Sequence, residues 1–82
     1  MSRLEMEGAL QELKLRKMNL AISANSRIKA IKNSLALASV TPLHEIDIDE
    51  VALLATELKD LKDEYLDVLE KIKRLERELG KV

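Results

Sequence analysis

The single histidine, His44, stands among Glu45, Asp47, Asp49 and Glu50, the one stretch where side chains able to ligate a metal crowd together. Their spacing matches neither a zinc-binding helix nor a calcium loop, which needs a central glycine. Asp47 and Glu50 are also spaced as the cap and third residue of a helix start, where solvated acids meet the positive end of the helix dipole. That use accounts for them, and no metal is assigned. With one His, no Cys and two Gly, the parts of a nucleophilic triad, a zinc site or a phosphate cradle are missing as well. The expectation is a protein with no cofactor and no catalytic residue, not an enzyme.

A second chemistry is carried by charge. Residues 13–44 contain no acid, while Lys14, Arg16, Lys17, Arg27, Lys29 and Lys32 supply six positive charges. Such a helix face can neutralise phosphates or lie on an anionic membrane. It can equally flank a helix–helix seam and answer acids on the neighbouring helix. Base-reading motifs and membrane-anchoring aromatics are both missing. A nucleic-acid accessory protein using these residues is therefore the second reading, a membrane partner is not expected, and the outcome turns on whether intramolecular acids consume Lys14, Arg16, Arg27 and Lys32.

The elements that position these residues follow from composition. The chain has 82 residues, 46% hydrophobic and 35% charged, with Tyr65 the lone aromatic. One small domain is all it can hold. Without Phe or Trp, strand-rich folds and aromatic stacking platforms lack their raw material, which leaves an all-helical chain. The absence of cysteine suits a reducing compartment, with the cytoplasm as default. The N-terminus carries no basic start followed by an apolar stretch, and strictly apolar runs such as residues 35–38 and 51–55 are far below the ~18 residues of a membrane span.

From Val51 the apolar residues Val51, Leu54, Leu58, Leu61, Tyr65, Val68, Ile72, Leu75, Leu79 and Val82 alternate in steps of three and four without exception. That stripe is a coiled-coil seam. Asp47 caps the helix, Ile46 staples onto Val51, and Gly80 stops it. The first helix starts with the same device, Ser2 as cap, Glu5 as third residue and Met1 stapling onto Met6. Its stripe, Met6, Leu10, Leu13, Lys17, Leu20, Ala24, Ile28, Ile31, Leu35 and Ala38, contains two successive steps of four around Ala24. This stutter relaxes the supercoil among poor helix formers at residues 19–26. No Pro or Gly interrupts residues 9–41, so one helix is expected through to about residue 39, ended by Thr41-Pro42. Thr41-Pro42-Leu43-His44 matches the start of an ankyrin repeat, but no second copy follows and the helices are too long. The single domain, 1–82, then reads as a helix over about 3–39, an elbow over about 40–47 and a helix over about 48–79.

Charge sets how the helices meet. Residues 1–43 hold seven basic residues against three acids, and residues 44–82 hold seven against twelve, so the halves carry +4 and −5. Folding about residue 43 sets residue i opposite about 87 − i and brings Glu5, Glu7 and Glu12 near Lys81, Arg77 and Arg74, Lys17 near Glu70, and Arg27 near Asp60. Tyr65 falls opposite Ala21 and Ala24, whose small side chains leave room for its ring. The protomer is an antiparallel two-helix coiled-coil hairpin. Off the seam stand Leu15, Met18 and Ile22, then Leu53, Leu66 and Leu69. They widen the apolar stripe beyond what an isolated pair buries. The economical solution is a homodimer that closes a four-helix bundle.

In its second half, Pro42, the acidic run Glu45-Ile46-Asp47-Ile48-Asp49, Ala-Thr-Glu-Leu at 55–58, Glu64-Tyr65 and Glu-Arg-Glu-Leu-Gly at 76–80 resemble small helical proteins of unknown function from Mu-like prophages. The resemblance implies a phage accessory protein and names no activity or ligand. The function expected from the residues themselves is a structural, protein-interaction module: a self-associating helical hairpin, open to a protein partner.

Overall fold

The computed structural model describes residues 2–81. Two long helices, α1 (Arg3–Leu35) and α2 (Ile48–Glu78), pack antiparallel, joined by an elbow that holds one 3₁₀ turn at Leu43–Glu45. The two helices are about 50 and 46 Å long at a rise of 1.5 Å per residue. The molecule measures 60 × 18 × 14 Å, with a radius of gyration of 18.4 Å. A compact domain of this length has about 12 Å. The hairpin is therefore almost all surface.

Both helices start where their caps predict. The Ser2 hydroxyl accepts from the Glu5 amide at 3.1 Å, and Asp47 Oδ1 accepts from the Glu50 amide at 3.0 Å. Asp47→Ala should cost about 0.5–2 kcal/mol, because it strands amide donors of the first α2 turn. A thermal melt of that variant checks the figure. At the far end Gly80 takes φ +70°, its amide donates to Arg77 O at 3.2 Å, and the Lys81 amide donates to Glu76 O at 2.9 Å. These two bonds form a Schellman stop, which a residue with a Cβ would strain.

The expected end of the first helix near residue 39 is corrected: α1 stops at Leu35. Over residues 36–40 the backbone tightens into bonds one residue shorter than α-helical ones, Ala36 to Asn33 O, Ala38 to Leu35 O and Val40 to Leu37 O, at 3.1–3.3 Å. Pro42 bounds this stretch: its ring excludes the Ala38 carbonyl and offers no N–H, so no α-helix runs through it. Thr41 Oγ1 donates to Leu37 O at 2.6 Å, a second bond to the carbonyl that already accepts from the Val40 amide. The elbow is accordingly longer than the eight residues expected. The stutter at residues 19–26, by contrast, leaves α1 unbroken.

The core is a thin line along the seam. Leu10, Leu20, Val68, Ile72 and Leu79 are buried together, with Met6, Leu13, Leu61, Tyr65 and Leu75 packed against them. Leu54 is buried separately, toward the elbow. Ile28 and Leu35, on the expected seam, are exposed. Each step of four turns the stripe by about 40° around the helix, so two in succession rotate the later seam residues away from α2. The Met1 staple and Val82 lie outside the described residues.

Candidate functional site

Ion pairs between the helices bracket the expected register. Lys81 meets Glu7 at 3.5 Å, Lys14 meets Glu76 at 3.9 Å, Arg16 meets Glu64, and Arg27 Nε donates to Glu57 at 3.2 Å. Arg27 thus takes Glu57, one turn nearer the elbow than the expected Asp60. Lys81 takes Glu7 rather than Glu5, and no pair joins Lys17 to Glu70, Glu7 to Arg77 or Glu12 to Arg74 among the described residues. Every pair is at least partly wet, so each contributes at most about 1 kcal/mol and sets register more than stability.

Three of the six candidate phosphate contacts are consumed in this way. Lys14, Arg16 and Arg27 answer acids of α2, while Lys17, Lys29 and Lys32 have no ion-pair partner among the described residues. His44 lies within 4.0 Å of Glu45, and no group of three or more His, Asp or Glu side chains that could hold a metal ion occurs among the described residues. No helix among them is long and apolar enough to cross a membrane.

The four pairs divide between the two flanks of the seam. Arg16, Glu57 and Glu64 each immediately precede a seam residue (Lys17, Leu58 and Tyr65), as Arg27 precedes Ile28, and their pairing clasps that flank over its middle. Ala21, Ala55, Lys62 and Leu69 each immediately follow a seam residue (Leu20, Leu54, Leu61 and Val68), which puts them on the opposite flank with Glu7, Lys14 and Glu76. That flank is clasped by Lys14–Glu76 and Lys81–Glu7 toward the chain ends, and nearer the elbow its surface is open. A groove of about 590 Å³ runs between the helices over Ala21, Ala24, Ala55 and Tyr65, with Lys59 and Lys62 at its rim. A second hollow of about 380 Å³, sharing Ala21 and Tyr65, continues it past Met18, Lys14 and Lys17 to Glu76. The small alanines do receive the Tyr65 ring, as expected, but do not fill the space beside it.

Of the six off-seam candidates, Leu15, Met18, Ile22, Leu53 and Leu66 are each more than half exposed, and Leu69 is half-buried. Leu15, Met18 and Ile22 form one ridge of α1 at helical spacing. Met18 lines the open flank, and Leu66 and Leu69 stand at its level on α2. Leu53 does not join them: thirteen residues from Leu66, it lies about 140° around the helix. Sequence reading passed over two features. The groove was signalled by alanines one place after seam positions. The elbow exposes Leu37, Val40 and Leu43 by two-thirds or more, signalled only by aliphatics outside any helical stripe.

Lys59 at the groove rim is drawn into its own helix. Its ammonium donates to Asp63 at 2.8 Å, and that hydrogen bond, with the charges of Asp63 and Asp60, raises its pKa above the ordinary lysine value. Lys62 has no such partner among the described residues. Comparison of the chain with protein-family models, curated proteins and solved structures finds no match.

Proposed function

We propose that the protein is a structural, protein-interaction module: a helical hairpin without catalytic activity that self-associates, two copies closing a four-helix bundle. The observation that carries this reading is the exposure of Leu15, Met18, Ile22 and Leu66 on a hairpin with only six buried side chains among the described residues. A soluble monomer rarely shows so much contiguous apolar surface on so small a body. A two-fold copy buries such a patch against itself, and each helix gains the second neighbour that a lone pair lacks. The cysteine-free sequence suits a reducing cytoplasm for this assembly. Nucleic-acid binding is the weaker reading, since Lys14, Arg16 and Arg27 already have partners.

Light scattering on the purified protein at micromolar concentration tests the proposal. The expected mass is about twice the 9.3 kDa of the chain. A fully helical species at the mass of one chain, unchanged on dilution, refutes it.

A further inference from the structure

Resting on that self-association, we propose where and in which register the second copy docks: its α2 lies antiparallel across the alanine groove, with the two-fold axis at Leu66.

Shape points to this flank. The opposite flank is closed by Arg16–Glu64 and Arg27–Glu57, whereas here Ala21, Ala24 and Ala55 leave a groove open to solvent. An apolar groove between two helices is the seat of a third helix. The rim of the groove carries Lys59, already held by Asp63, and Lys62, which has no ion-pair partner among the described residues; its continuation is lined by Lys17 and by the paired Lys14 and Glu76. Lys62 calls for an occupant helix with an unpaired acid beside its apolar residues.

The chain owns such a helix. Asp60, Asp63, Asp67 and Glu70 are all exposed on α2, around Leu66 and Leu69. Asp63 and Asp67 are held by Lys59 at 2.8 Å and Lys71 at 3.1 Å within α2. Glu70 has no ion-pair partner among the described residues, and neither has Lys62. These two unmatched opposite charges stand four residues to either side of Leu66, on one row of the helix surface.

A two-fold axis through Leu66 lays this row on its own copy. Leu66 meets Leu66 once, on the axis, and Lys62 of each chain meets Glu70 of the other, a contact made twice. The same register brings Leu69 of the second copy to the level of residue 63, beside Ala24 and Ala21, where the groove has room for a leucine. The parallel alternative sets Lys62 against Lys62 and Glu70 against Glu70, and like charges across an interface are disfavoured.

Charge exchange tests the register. Lys62→Glu places two acids at each contact, and Glu70→Lys places two bases, so each variant alone should weaken the dimer roughly tenfold through two repulsive contacts. An equimolar mixture of the two variants restores opposite charges at both contacts and should recover the wild-type dissociation constant, as a heterodimer seen by sedimentation or native mass spectrometry. The doubly exchanged chain should recover it as a homodimer. Both positions are exposed and both residues are good helix formers, so folding is retained and circular dichroism verifies it. A mixture that associates no better than its components, while the wild type is dimeric, overturns this register and leaves self-association standing. A monomeric wild type refutes the earlier reading instead, and this one with it.

Discussion

Replacing Leu10 with alanine is expected to remove about 2–5 kcal/mol of unfolding free energy. Leu10 is the most completely enclosed side chain of the hairpin, 1% exposed, and belongs to the buried cluster with Leu20, Val68, Ile72 and Leu79. Truncation loses its transfer from water and leaves a void. The line of core side chains along a single seam has few neighbours able to collapse into it. Against a typical total of about 5–15 kcal/mol, this loss moves the chain close to unfolding. Urea denaturation followed by circular dichroism at fixed protein concentration is the measurement, with a lowered midpoint and an unchanged slope. Leu4, 83% exposed on the same helix, serves as control, and Leu4→Ala should stay within about 0.5 kcal/mol of the parent. Equal losses at the two positions would mean that the seam is not the core.

The second large effect is on assembly. Leu66→Glu combined with Leu69→Glu should convert the dimer to monomer and lower its helicity. Each buried leucine lost from the interface costs about 2 kcal/mol or more, and a two-fold axis repeats both losses. Together they amount to a thousandfold or greater rise in the dissociation constant, at about 1.4 kcal/mol per tenfold. The introduced acids would also face acids of the other chain, the one at position 66 its own copy and the one at position 69 Asp63. Helicity falls because helices of this length draw most of their stability from packing rather than propensity. Sedimentation velocity across a dilution series, with far-UV circular dichroism on the same samples, reads both consequences. A variant that keeps the wild-type mass would place the interface elsewhere, on the α1 ridge of Leu15 and Ile22 or at the elbow.

What the chain alone determined is whatever depends on neighbours in sequence. The 3–4 spacing from Val51 to Leu79 specifies a helix with one apolar stripe, since residues three and four apart share a helix face in any surroundings. Ser2, Asp47 and Gly80 marked helix ends because capping bonds join residues only three to five apart. Even the antiparallel pairing was legible, because a short elbow allows little else and the opposite charges of the two halves agree with it. The end of α1 was not: Pro42 bars the helix only from the Ala38 carbonyl onward, whereas the backbone already tightens at Ala36.

Tertiary structure decided which charges meet and which flank stays open. Arg27 pairs with Glu57 rather than Asp60 because the phase of α1 after its stutter, and not the average register, places the guanidinium. The alanines at 21, 24 and 55 are unremarkable members of two separate stripes. Only when the helices are laid together do they fall on one side of the seam and leave a groove of about 590 Å³ beside Tyr65. A groove is a difference between two surfaces, and periodicity along one helix reports only that helix.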